Sequence, residues 1–160
     1  MHKSLQMFVV GMLLSIGSVA MVSAAAAADP TDGTWTLNIA KSKFSPGPAP
    51  QSHTRTYATT AQGVALSYTV VAADGSKSSG HSNYKYDGKD YPITGSPDFD
   101  TLAVTRIDAY TATSVQKKNG KSIGTTTRTI SKDGKVLTLT SKGTSAAGAA
   151  FNNVLVFDKQ

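Results

Sequence analysis

Apolar and polar residues alternate with a period of two in short runs along most of the chain, the pattern of half-buried β-strands. Val64, Leu66, Tyr68 and Val70 stand between Ala65, Ser67 and Thr69, so the even positions of this run face a core. Asp32-Gly33, Asp74-Gly75, Asp87-Gly88, Asn119-Gly120 and Asp133-Gly134 punctuate the runs. Such dipeptides make tight turns, because Gly takes positive φ without steric cost and Asp or Asn bonds its own backbone. The segments between them predict strands over 34–40, 53–60, 63–73, 78–87, 101–107, 110–117, 121–131, 134–142 and 149–157. Pro46, Pro48 and Pro50 make 45–51 an extended connector, and Pro92, Gly95 and Pro97 make 91–100 an irregular loop. Short strands at this spacing predict an all-β fold, a small antiparallel up-and-down β-barrel of about 8–10 strands.

Turn length sets the register, and a slip of one residue moves every side chain to the other face. A three-residue turn at Ala73-Asp74-Gly75 pairs Leu66 with Ser82 and Val64 with Tyr84, which keeps Tyr84 and Tyr86 on the core face. The same turn at Lys118-Asn119-Gly120 pairs Val115 with Ile123. At Lys132-Asp133-Gly134 it puts Leu137 and Leu139 on the face of Ile123. Gly75, Gly120 and Gly134 are all expected at positive φ. A two-residue turn at Asp108-Ala109 sets Arg106 opposite Thr111 and Leu102 opposite Val115. Thr127 then lies opposite Thr111, and Arg128 falls on the other, solvated face.

The first 28 residues are of another kind. Lys3 is followed by an uncharged apolar run, Leu5 to Val22, and by small residues ending in Ala26-Ala27-Ala28. That order is a secretory signal peptide with an A-x-A cleavage site. Residues 1–28 are therefore read as the leader and 29–160 as a single antiparallel β-barrel domain, exported to the periplasm or secreted. A retained anchor is the alternative, but the run is rich in Gly, Ser and Ala and no positive flank follows it. The chain has no Cys, so no lipid-modified cysteine and no disulfide are available. An exported domain of this kind must be held by packing and sheet hydrogen bonds alone.

The full chain carries a net charge of +6, and all of its acidic residues are Asp. Seven basic residues lie between Tyr110 and Ser145 against one acid, Asp133. Most of them flank turns, and consecutive turns of an up-and-down sheet lie at opposite ends. They form no contiguous patch, so a nucleic-acid partner is not expected.

Gly33-Thr34-Trp35 opens the first predicted strand, and the run continues Thr36-Leu37-Asn38-Ile39-Ala40-Lys41-Ser42-Lys43-Phe44. This resembles the first strand of the calycin barrels, the lipocalins and fatty-acid-binding proteins. The resemblance implies a lipocalin-like barrel, a tryptophan packed across its floor, and an interior that binds a small molecule. The ending Val156-Phe157-Asp158-Lys159 is also similar to that of the fatty-acid-binding proteins. Over its mature length the chain is similar to a group of uncharacterised exported bacterial proteins. They share Gly-Thr-Trp-x-Leu-Asn, Lys-Ser-x-Phe and a Tyr-Asp-Gly-Lys-x-Tyr-Pro segment, here Tyr86 to Pro92. The chain departs from the fatty-acid-binding pattern in having a proline-rich connector where the helical lid stands. It also has Leu155-x-Phe157 where those proteins carry Arg-x-Tyr. Val154 to Phe157 offers no Arg to close the tryptophan as lipocalins do.

Candidate chemistry is sparse. Thiol nucleophiles are absent. After the leader His53 and His81 are the two histidines, neither beside a nucleophile-elbow motif nor at zinc spacing. Asp87, Asp90, Asp98 and Asp100 cluster without the spacing of a calcium loop. No catalytic residue, metal site or cofactor is expected. The sharper expectation is a ligand site. With Arg106 on the barrel interior beside Thr111 and Thr127, its guanidinium meets only hydroxyls. A buried cation needs Asp, water or an anionic ligand group, and Tyr68, Tyr84 and Tyr86 line the opposite wall. The alternative is that Arg106 snorkels to the rim. Two functions are carried forward: an exported binding protein for a small apolar or amphipathic molecule, and an envelope or extracellular interaction domain with a filled barrel.

Overall fold

The computed structural model describes residues 28–145 and 148–160. The expected leader, apart from Ala28, lies outside the described residues. Ten strands follow in order: β1 (Gly33–Leu37), β2 (Ser52–Thr60), β3 (Gly63–Val71), β4 (Lys77–Tyr84), β5 (Asp87–Pro92), β6 (Thr101–Arg106), β7 (Thr111–Lys118), β8 (Lys121–Ile130), β9 (Val136–Thr144) and β10 (Ala150–Lys159). A single 3-10 turn, Ile39–Lys41, ends β1 earlier than the predicted 40, because the Asn38 side chain caps it by accepting from the Lys41 amide. β5 was not expected. Asp87-Gly88 and Pro92 read as turn residues, and the strand accommodates them at the sheet edge with an irregular register between Asp87 and Asp90.

Every pairing is antiparallel, and the sheet runs β4-β3-β2-β1-β10-β9-β8-β7-β6-β5. Each strand lies beside its sequence neighbours and β1 meets β10, so the fold is an up-and-down barrel that is nearly closed. Its two edges are β4 and β5. One bridge spans them, His81 to Thr94, through two backbone hydrogen bonds of 2.9 Å.

The register between β3 and β4 is the expected one: Leu66 faces Ser82, Val64 faces Tyr84, and Gly75 has φ +84. Three other turns differ. The Ile107 amide donates to the Thr111 carbonyl, and the Asp108 carboxylate takes the Tyr110 amide at 2.7 Å. The turn has three residues, Asp108 to Tyr110, so Arg106 faces Ala112 and not Thr111. At Asn119 (φ 51) and Gly120 (φ 74) the turn has two residues, with Lys118 facing Lys121. A bulge at Ile123 then restores the parity, so Ala112 faces Arg128 and Thr113 faces Thr127. Between β8 and β9, Ser131 pairs with Val136 around a four-residue turn held by the Asp133 carboxylate, which accepts from Ser131 Oγ and the Lys135 amide. Ile130 thus faces Leu137, and Arg128 faces Leu139. Gly120 and Gly134 do have positive φ, +74 and +70, but not in three-residue turns.

These registers stack the interior of β7 to β10 in layers. One row is Ala112, Arg128, Leu139 and Leu155; the next is Ser114, Thr126, Ser141 and Asn153; the next is Gln116, Gly124, Gly143 and Phe151. Arg128 is buried, 8 % exposed, which corrects the expectation that it is solvated. Thr127 is exposed and Thr111 half-buried, and both lie on the outer face. At the floor, Trp35 is fully buried and its indole donates to the Thr31 carbonyl at 2.8 Å. Phe157, Leu137, Tyr84 and Val64 pack in the same core.

Candidate functional site

Three tyrosines and three arginines stack through the interior as an alternating ladder. It starts from Asp29, whose carboxylate pairs with the Arg106 guanidinium. Arg106 lies over the Tyr86 ring at 3.9 Å, and Arg128 is 5.6 Å from the same ring and 5.1 Å from that of Tyr57. Arg55 takes the next places, 5.6 Å from the Tyr57 ring and 5.3 Å from the Tyr68 ring. Cations settle on aromatic faces because the ring quadrupole is negative there. The strand alternation builds the ladder: Arg55 and Tyr57 share the inner face of β2, and Tyr84 that of β4.

The two ends of the ladder differ in charge balance. Burial works against the Asp29 carboxylate, yet the Thr31 amide and Arg106 hold its pKa below the ordinary value. Arg106 therefore has its counter-charge inside the chain, which resolves what was expected of it. Arg128 has none. Its Nη1 donates to the Tyr84 hydroxyl at 2.9 Å and its Nη2 to the Tyr86 hydroxyl at 2.7 Å, while Nε has no hydrogen-bond partner. Burial pushes the Tyr84 phenol up, so it stays neutral at pH 7. Arginine does not deprotonate in proteins, so a full positive charge sits in the interior with two phenol hydroxyls as its hydrogen-bond partners.

Above Arg128 the barrel holds a cavity of about 380 Å³, within the range of small-molecule sites. Arg55, Arg128, Tyr57, Tyr68 and Tyr84 are among its lining residues. Leu66, Ile93, Phe99, Leu102 and Leu155 give it apolar surface, and Ser114, Gln116, Thr126, Ser141 and Asn153 give it a polar strip. Asp98, on the 93–100 loop, is the one carboxylate in the lining. Bonds connect the strip: the Gln116 amide donates to Ser114 Oγ at 2.8 Å and Thr126 Oγ1 at 3.1 Å, and Thr126 bonds Ser141 at 2.8 Å. At the floor, Lys159 of the last strand lies 5.0 Å from the Trp35 ring, a cation where the sequence reading found no Arg.

Of the residues expected at the site, Tyr68 and Tyr84 line the cavity. Tyr86 and Arg106 do not line it: the Tyr86 hydroxyl accepts from Arg128, and Arg106 lies over the Tyr86 ring. Thr111 and Thr127 are outside the barrel. Sequence reading missed Arg128, Arg55 and the polar strip. Arg55 alternates with Thr54 and Thr56, so the apolar–polar contrast that marks an inner face is weak on this strand.

Three of the four clustered aspartates of 87–100 are taken up by the chain. Asp87 accepts from the Lys89 amide and the Tyr91 hydroxyl, Asp90 pairs with Lys117 at 2.7 Å, and Asp100 accepts from the Asn119 amide. Among the described residues no group of three or more His, Asp or Glu is placed to hold a metal ion. Comparison of the chain with protein-family models, with curated proteins and with solved structures finds no match.

Proposed function

We propose that this chain is an exported, lipocalin-like binding protein that holds a small amphipathic anion inside its barrel, with the charged group at Arg128. The observation that carries this is the Arg128 guanidinium itself, buried, facing a cavity, and without a carboxylate partner. An uncompensated buried charge is strongly unfavourable. A filled barrel with no ligand leaves both that charge and the open interior unexplained. Arg55, also in the lining, adds a second cation with no carboxylate within ion-pair distance among the described residues. Charge-assisted hydrogen bonds to such groups are short and strong.

Calorimetric titration with decanoate and with decanol, on the wild type and on Arg128→Leu, tests the reading. The anion is expected to bind the wild type at least tenfold more tightly than the alcohol, and Arg128→Leu to abolish that preference while the protein stays folded. Equal affinity for anion and alcohol in the wild type, or an unchanged preference in Arg128→Leu, refutes it.

A further inference from the structure

We infer that the anion this site takes is a compact aromatic carboxylate with a polar group on the far side of its ring, and not an alkyl chain. This rests on the anion reading above and narrows it. The layering of the interior points to it. Along β8, Arg128 is followed toward the mouth by Thr126, one side-chain step away on the same face, about 6.7 Å. Thr126 is not alone at that level. Ser114, Thr126, Ser141 and Asn153 face one another across four adjacent strands, so the second layer above the floor is a continuous polar row.

An alkyl chain that runs from Arg128 toward the mouth along β7 to β10 crosses that row. The row keeps its bonds to Gln116, to Ser45 and within itself, but its remaining donors and acceptors lose water under the chain and gain nothing, which is costly. A single ring spans the step instead. Its carboxylate meets Arg128, and its far substituent reaches the row and replaces the water there. The ring itself finds aromatic surface in Tyr57, Tyr68 and Phe99. A further ring waits above the row. The Phe151 ring covers the facing pair Gly124 and Gly143 so closely that a Cβ on either would stand within 2.9 Å of it. The volume agrees, since 380 Å³ is about a dozen water volumes, the size of one substituted ring with a short side arm.

The test compares 4-hydroxycinnamate, cinnamate and decanoate by calorimetry. 4-Hydroxycinnamate and decanoate have equal charge and equal numbers of non-hydrogen atoms. 4-Hydroxycinnamate is expected to bind roughly tenfold more tightly than either of the others, the worth of one well-placed hydrogen bond in a desolvated site. Thr126→Val, which keeps the shape and removes the hydroxyl, is expected to bring its affinity to that of cinnamate while cinnamate binding stays unchanged. Ser141→Ala repeats the test should Thr126→Val fold poorly. If decanoate binds as tightly as 4-hydroxycinnamate or better, the aromatic inference falls and the anion reading stands. If the three anions bind no better than decanol, the anion reading itself falls. If Thr126→Val and Ser141→Ala both leave the hydroxyl preference intact, the polar row is not the reader of the ring.

Discussion

His53 makes the stability of this barrel depend on pH through a route that one substitution can isolate. Its ring lies on the inner face of β2, 5.0 Å from the Phe157 ring and 5.8 Å from that of Tyr68, and its Nε2 has no hydrogen-bond partner. Burial first, and then the positive charge of Arg55, pull its pKa from 6.5 down to about 3. The folded chain thus keeps a neutral imidazole at a pH where the unfolded chain would protonate it. Between those two values the unfolded state binds more protons, so stability falls as pH falls and is flat above about pH 7. For these two values, linkage gives a loss of about 2 kcal/mol between pH 7.5 and pH 5. That is a large part of the total for a domain of this size, and lowers Tm by roughly 5–10 °C. The carboxylates act lower. Asp29 and Asp158 have pKa values held below the ordinary 3.8, so their contribution is lost only as the pH falls toward and below that value. Urea unfolding of the wild type and of His53→Phe at pH 7.5, 6 and 5 measures the effect. Phe fits the aromatic surroundings and removes the orphaned nitrogen, so the variant is expected to match or exceed the wild type at pH 7.5 and to show no slope down to pH 5. Parallel pH profiles for the two proteins would refute the assignment, as would an NMR titration of the His53 imidazole near pH 6.5 in the folded state.

The Asp29–Arg106 pair closes the floor, with Asp29 9 % and Arg106 33 % exposed at their side chains. Asp29→Asn is expected to destabilise by about 1–3 kcal/mol, because it leaves Arg106 without its counter-charge; a double-mutant cycle with Arg106→Met that shows no coupling refutes the pairing. Gly143→Ala is expected to cost about 3 kcal/mol in thermal or denaturant unfolding, since its Cβ would stand 2.1 Å from the Ile123 carbonyl oxygen, a backbone atom that cannot move without parting the strands. An unfolding midpoint equal to wild type contradicts that packing.

The barrel was legible in the sequence because it is written in local signals. Turn dipeptides marked the strand ends, and the alternation through Val64, Leu66, Tyr68 and Val70 was strong enough to set the β3–β4 register to the residue. The site was not legible, and the reason is physical. On β7 and β8 threonine and serine fill both faces, so no apolar stripe checks a register proposed from turn length. The turns at Asp108 and Asp133 are each one residue longer than expected, and in each the Asp carboxylate takes the amide two residues on. The first of these slips has a functional consequence. It leaves Arg106 inside the barrel but replaces its expected neighbours Thr111 and Thr127 with Ala112 and Arg128. The interior guanidinium without a carboxylate beside it is therefore Arg128 and not Arg106. Arg106 is satisfied by Asp29, a residue brought back to the floor from the N-terminal side of β1 and invisible to any strand-pairing argument. Arg128, delivered to the interior by the same slip, keeps the unmet charge, and it does so where the cavity begins.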